Sequence, residues 1–286
     1  MQNNHLKNVS GLLLGSFIVS TAGPLGKYIA LPSEVIIWFR CALAMVALYI
    51  FCKIKKIDLK VKHKSHYKPL IVSGIFMGLH WVTYFYGLKM AGVAIGMLSL
   101  YVFPVLITLL EPVFLKTRFQ PVSIILGILV FVGVYILSPD FDINSTKVQG
   151  LLYGLCSALF LCFRFLILKQ YVQQYNGISL MFYQVFIVSI LLLPVLFFKD
   201  FTGLQTQLPY IVFLALITTA VGHSLIVHSL QFFSVSTASI LTSAQPIFGI
   251  ILAYFFLKEV PTLNTYIGGG LILLTVIIES VRSKKD

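Results

Sequence analysis

Charge is what this sequence has least of. Asp, Glu, Lys and Arg together make up 10% of 286 residues, and only nine residues are acidic. A soluble domain carries about 25% charged residues. So little charge cannot coat a water-facing surface of this size, which excludes a soluble globular domain and a disordered chain. Cysteine is also scarce. The four present, Cys41, Cys52, Cys156 and Cys162, all lie inside apolar runs. Without paired spacing outside those runs there is neither a disulfide framework nor a zinc site, and the cysteines read as small packing residues.

Catalytic signatures are missing too. The aspartates, Asp58, Asp140, Asp142, Asp200 and Asp286, stand in connections or at the end, so no pair of intramembrane aspartates exists. There is no His-Glu-x-x-His and no Gly-x-x-x-x-Gly-Lys-Ser/Thr loop, which argues against a membrane-embedded protease and an ATP-driven pump. No selectivity filter or charge ring suggests a channel. No cofactor and no metal are expected; His63 and His66, in a lysine-rich connection, are a poor metal pair.

What is present is hydrophobicity, 58% of residues with a mean hydropathy of +0.95. A helix crossing about 30 Å of hydrocarbon needs roughly 20 apolar residues. Ten runs approach that length: Val9–Ala30, Ser33–Cys52, Pro69–Leu88, Val93–Leu115, Pro121–Ser138, Val148–Leu168, Ile178–Phe198, Leu208–Leu230, Val235–Leu257 and Leu263–Val281. They are continuous rather than alternating, so a β-barrel is rejected. The expectation is an all-α polytopic membrane protein of ten transmembrane helices. The first run lacks a small-residue cleavage site and reads as a retained helix.

The net charge of +12 does not point to nucleic acid, because seven lysines crowd one connection (residues 53–68) and three basic residues close the chain. With a cytoplasmic N-terminus the inner segments carry 14 Lys and Arg and the outer ones 5. That bias puts both termini inside.

The two halves resemble each other. At an offset of 142, Pro104 meets Pro246, Phe114-Leu115-Lys116 meets Phe256-Leu257-Lys258, and Gly127 meets Gly269; nearer the start, at 139, Gly11 meets Gly150 and Gly15 meets Gly154. The expected domains are therefore 1–138 and 139–286, each of five helices. An odd number makes the second half enter from the opposite face, giving two inverted five-helix repeats, as transporters use around a midplane site.

Here the chain resembles the drug/metabolite transporter superfamily in its EamA-domain branch. Phe39-Arg40, the stretch from Gly87 to Pro104, and Pro246 followed by Phe256-Leu257-Lys258-Glu259 carry the resemblance. The sequence departs from the pattern at Lys258, where Gly is common, and at Thr117, where the first half would carry Glu. The resemblance implies a multi-pass protein of the bacterial inner membrane, a monomer or homodimer. It also implies a secondary transporter moving a small organic metabolite (amino acid, nucleobase or amphipathic drug-like solute), by export. The alternatives are a membrane-embedded enzyme or a channel. The expected partners are the small-molecule solute, the lipid bilayer and coupled protons, with no nucleic acid.

Polar residues inside the runs nominate the site, because burying them in hydrocarbon is costly. His80 and Tyr84 share a helix face, with Trp81 beside them. Tyr101 precedes Pro104, and Gln245 precedes Pro246; both prolines should kink their helices near mid-membrane. His223, Arg40 and Tyr183 complete the substrate-binding set, with Trp38 and Gln184 as further candidates. Arg40 either lines the cavity or caps a neighbouring helix. Arg164 reads as an interface anchor, Glu111 as an interfacial residue beside Lys116, Glu279 as a helix-end partner of Arg282, and His228 as solvated. With Arg40 the lone fixed cation near the cavity, the solute is expected to be mainly uncharged or amphipathic. The pairs Gly11/Gly15, Gly74/Gly78, Gly92/Gly96 and Gly150/Gly154 suggest close helix packing.

Overall fold

The computed structural model describes residues 2–116, 122–137 and 142–283, and their side chains apart from those of residues 2–6, 123 and 279–283. The described chain forms α1 (Lys7–Tyr28), α2 (Ser33–Ile54), α3 (Lys64–Ala91), α4 (Val93–Leu115), α5 (Val122–Leu137), α6 (Thr146–Lys169), α7 (Gly177–Phe198), α8 (Leu204–Ser229), α9 (Val235–Leu257) and α10 (Leu263–Ser283). Eight of these are long and apolar enough to cross a membrane. The others, α5 and α10, hold shorter apolar helices, Ile124–Leu137 and Leu263–Ile278. The ten expected spans thus become eight plus two shorter helices. The ends expected for α5, Pro121 and Ser138, and the departing Thr117 fall outside the described residues, as does the side-chain pair of Glu279 and Arg282.

Large apolar side chains cover the outside. Phe131, Phe197, Phe198 and Phe256 are each more than 70% exposed. Serines and threonines lie inside, where many of their hydroxyls bond to carbonyls three or four residues back, as Ser16 does to Leu12 at 2.8 Å. This reversal of the soluble pattern suits hydrocarbon as the solvent, because a backbone in lipid must satisfy its own hydrogen bonds.

Glycines set the closest helix approaches. A Cβ on Gly87 of α3 would stand 3.0 Å from the Gly150 carbonyl oxygen of α6, and one on Gly154 would overlap the Ser99 hydroxyl. Gly74 and Gly78 face Ile187 and Val188 of α7. On the far side α5 meets α10 where Gly133 lies against Gly268 and Ile272. Two expected seam residues behave otherwise: Gly11 has open space around it, and Gly92, at φ +92°, makes the turn from α3 into α4. Cys41, Cys52 and Cys162 are buried as expected, but Cys156 is exposed, on the outward face of α6.

The two prolines do more than bend their helices. α4 is Val93–Leu100, a turn at Tyr101 and Val102, then Phe103–Leu115; α9 is Val235–Thr242, a turn at Ser243 and Ala244, then Gln245–Leu257. Each proline sits in the first turn of the second segment, where its missing N–H costs nothing. All four segment boundaries correspond at an offset of 142 residues. Both helices also end on a lysine in the left-handed region, Lys116 at φ 55° and Lys258 at φ 58°. A glycine adopts that conformation without strain, which accounts for its frequency at the family position where Lys258 stands.

Candidate solute-binding cavity

The two helix breaks and the middles of α2, α3, α6 and α8 surround one central cavity of about 40 Å³. Arg40 reaches it from α2, and His80, Trp81 and Tyr84 from α3. Tyr101 and Phe103 come from the break in α4, Thr242 and Gln245 from that in α9. Arg164 and Phe165 enter from α6, and His223 from α8.

Seven of the eight residues nominated from sequence therefore meet: Arg40, His80, Trp81, Tyr84, Tyr101, His223 and Gln245. Tyr183 does not. It points away, toward the connection between α6 and α7, with its ring 6.1 Å from that of Tyr175 and its buried hydroxyl without a hydrogen-bond partner. Trp38 is also elsewhere, its indole N–H donating to the Ser189 carbonyl at 3.0 Å. Glu111 accepts a hydrogen bond from Ser236 of α9 rather than pairing with Lys116, and among the described residues the ion pairs are Lys27–Glu259 and Lys199–Glu34. His228 is exposed as expected.

Arg40 is 1% exposed and held on two sides. Its guanidinium carbon lies 3.9 Å from the centroid of the Trp81 ring, a cation–π stack. Its Nε donates to the Thr219 hydroxyl at 2.5 Å, and Nη2 makes a longer contact with Thr218 at 3.3 Å. Those threonines sit where α8 widens into a π-helical stretch, Leu214–His223. Both hydroxyls also donate to the Leu214 carbonyl, at 2.5 and 2.8 Å, competing with the backbone ladder there. π-Helical turns of this kind often mark functional positions.

Trp81 in turn meets His223 edge to face, ring centroids 5.1 Å apart. His80 is oriented by α6. The Ser157 hydroxyl donates to the His80 carbonyl at 2.9 Å, and His80 Nδ1 lies 2.7 Å from the same oxygen.

Arg164 overturns its expected role. It is fully buried and faces the cavity rather than the interface. Gln184 of α7 holds it, with Oε1 accepting from Nη2 at 2.8 Å and from Nε at 3.2 Å; Nη1 is buried without a hydrogen-bond partner. The residue at the helix end is Lys169, which donates to the Leu230 and Phe233 carbonyls at 2.8 and 2.7 Å. The signal was in the sequence: five residues separate Arg164 from Lys169, about 7.5 Å of helix, too deep for an anchor when a lysine already marks the boundary. The premise of a single cavity cation is thereby corrected to two.

Six pairs of lining residues stand 142 positions apart: Val19 and Leu161, Ala22 and Arg164, Trp81 and His223, Tyr84 and Ile226, Leu100 and Thr242, and Phe103 and Gln245. The same spacing recurs at the helix ends. Lys89 donates to the Ile29 carbonyl at 2.9 Å and also to that of Leu31, while Gln231 donates to the Val172 and Tyr175 carbonyls at 2.7 and 3.1 Å. Lys27, the counterpart of Lys169, pairs with Glu259, which also accepts from the Val93 backbone N–H at 2.9 Å and so ties α1 and α9 to the start of α4.

Comparison with known proteins bears on the fold and the family. A solved crystal structure superposes with a TM-score of 0.71 over 96% of this chain and 98% of its own, at 16% identity, which shows a shared fold. The pseudopaline exporter CntI of Pseudomonas aeruginosa is 24% identical over 96% of this chain and 97% of its own length. An uncharacterized transporter of Bacillus subtilis, YxxF, is 24% identical over 95% of this chain and 88% of its own. The profile of the EamA-like transporter family matches twice, at residues 6–138 and 148–281, so nearly the whole chain is covered and it belongs to the EamA-like transporter family.

Proposed function

We propose that this protein is a secondary active transporter that exports a small organic solute by alternating access around the cavity between the broken helices. The observation that carries this reading is the convergence of both breaks, at Tyr101 and at Ser243, on one polar cavity. Interrupted helices at mid-membrane are where transporters bind solutes. Ten spans in two inverted repeats, residues 1–138 and 139–286, account for the pairing of lining residues at one offset. The double family match, one per half, supports the same division. The similarity to a protein named as an exporter supports the direction.

A cavity of about 40 Å³ holds water rather than a metabolite. The conformation described is thus closed around its site, and loading requires the halves to move apart. Lys27 with Glu259 at the outer ends, and Lys169 with the Leu230 and Phe233 carbonyls at the inner ends, are the contacts that must break in turn. His80, which lines the cavity, is the group through which protons couple to transport.

Proteoliposomes holding the purified protein and loaded with a defined metabolite mixture test this. Protein-dependent, saturable efflux of at least one small organic solute is expected by mass spectrometry. His80→Ala and Gln245→Ala should each lower that efflux at least about tenfold while leaving expression intact, since a lost charge- or amide-mediated contact costs about 1.5 kcal/mol or more. Absence of protein-dependent efflux across the mixture would refute transport; parent-level efflux in both variants would remove the cavity from it.

A further inference from the structure

We infer that the solute is an organic acid whose carboxylate is held between Arg40 and Arg164. The inference rests on the cavity being the solute site, and it specifies what that site selects.

Charge is the first argument. Both guanidinium groups line the same small cavity, and they are 1% and 0% exposed. No Asp or Glu lines that cavity, and among the described residues the ion pairs lie elsewhere, at Lys27–Glu259 and Lys199–Glu34. Two like charges in a medium of low dielectric repel each other, and neither recovers its lost hydration from a counter-charge. A single anion between them reverses the sign of that interaction at both arginines.

Donor geometry is the second. A guanidinium offers five N–H donors in a planar fork. Arg164 directs Nε and Nη2 at one amide oxygen, Gln184 Oε1, and its buried Nη1 has no hydrogen-bond partner. Arg40 bonds through Nε and Nη2 to two hydroxyls. The neutral acceptors around the pair use part of this capacity, and a carboxylate is the acceptor whose two oxygens match such forks.

Pre-organisation is the third. Arg40 is fixed in plane by Trp81 and Thr219, Arg164 by Gln184, and these supports come from α3, α8 and α7. Arginines held in this way lose little further freedom on binding. Tyr84, Tyr101, Phe103 and Phe165 are among the remaining walls and favour a small apolar or aromatic body behind the carboxylate, while His80, His223, Thr242 and Gln245 offer neutral polar contacts.

The test uses the full-length protein in lipid nanodiscs and reads its melting temperature against matched pairs: formate and formamide, acetate and acetamide, phenylacetate and phenylacetamide. Sodium chloride and inorganic phosphate at equal ionic strength serve as controls. A ligand that binds the folded form alone raises Tm. Each acid should raise Tm by several degrees, whereas its amide should not. Arg40→Gln and Arg164→Gln should each weaken the apparent affinity for acetate at least about tenfold, with Arg164→Lys retaining part of it.

Equal shifts from acid and amide, no shift from any acid, or shifts matched by chloride or phosphate would overturn the assignment. The comparison of acid with amide needs no variant, so a misfolded arginine mutant does not blunt it. Counterflow of labelled phenylacetate in proteoliposomes separates the two readings. Carboxylate binding with neither counterflow nor efflux of any solute in the metabolite mixture refutes transport and keeps the anion site, whereas equal transport of phenylacetate and phenylacetamide does the reverse.

Discussion

The side-chain oxygen of Gln184 takes both short hydrogen bonds of Arg164, whose Nη2 also makes a long contact with the Met181 sulfur at 4.0 Å. Hydrogen bonds to a charged group contribute about 1.5–3 kcal/mol each when a buried partner is left behind. Gln184→Leu should therefore destabilise the protein by about 1.5–3 kcal/mol, seen as a lower Tm in nanodiscs. It should also weaken acetate binding by freeing the guanidinium from its plane. Trp38→Phe, which removes a hydrogen bond to Ser189 outside the cavity, should leave acetate binding unchanged. A Gln184→Leu protein with the parent's Tm and acetate affinity would mean that Arg164 is held by something other than this amide. Arg164 was misread from sequence for a simple reason. Distance from the end of a run measures depth, whereas the face a residue presents depends on which helices lie beside it.

At the scale of elements, α3, α4 and α6 meet in a sterically constrained seam. Gly87, Gly96, Gly150 and Gly154 let these helices approach until the backbone of one meets the backbone or a short side chain of another. Gly154→Val should lower stability by about 1–3 kcal/mol, the usual range for overpacking, and should reduce the yield of folded protein in a detergent-extraction assay. Gly11→Ala, facing open space, should do neither. If the two substitutions behave alike, the seam is looser than these distances imply. The glycine spacing was legible in the sequence, but which pairs form seams was not. Gly92 became a turn because its φ of +92° is open to glycine and strained for other residues.

At the scale of the whole molecule, the distribution of positive charge implies that both termini and the lysine-rich connection after α2 face the cytoplasm. In the background of a Cys156→Ser variant, cysteines introduced at Lys60 and at Asp142 should react oppositely with an impermeant thiol reagent in intact cells. Both positions are exposed, so access decides the result. Labelling of the Lys60 site from outside would invert the topology and remove the basis for an inverted repeat. Under that topology the Lys27–Glu259 pair and Lys169 would lie at opposite faces, as the proposed sealing contacts require.

The amino-acid sequence by itself determined the solvent, the class of fold and much of the site. Scarcity of charge with long apolar runs admits few solutions other than membrane-spanning helices. Polar residues in such runs are costly enough to stand out, which is why His80, Tyr84, His223 and Gln245 could be nominated. The repeated prolines marked the breaks because their chemistry is local, acting on the backbone of their own helix. Tertiary structure decided the rest. It separated Tyr183 from the cavity, brought Trp81 under Arg40 and against His223, and set Arg164 beside the same space. Those outcomes depend on how helices rotate about their axes and which neighbours they meet, and that is fixed by packing between segments far apart in the chain. One helix carries the periodicity that defines its faces, but the identity of the face turned inward, and with it the charge of the cavity, exists only once the other helices are in place.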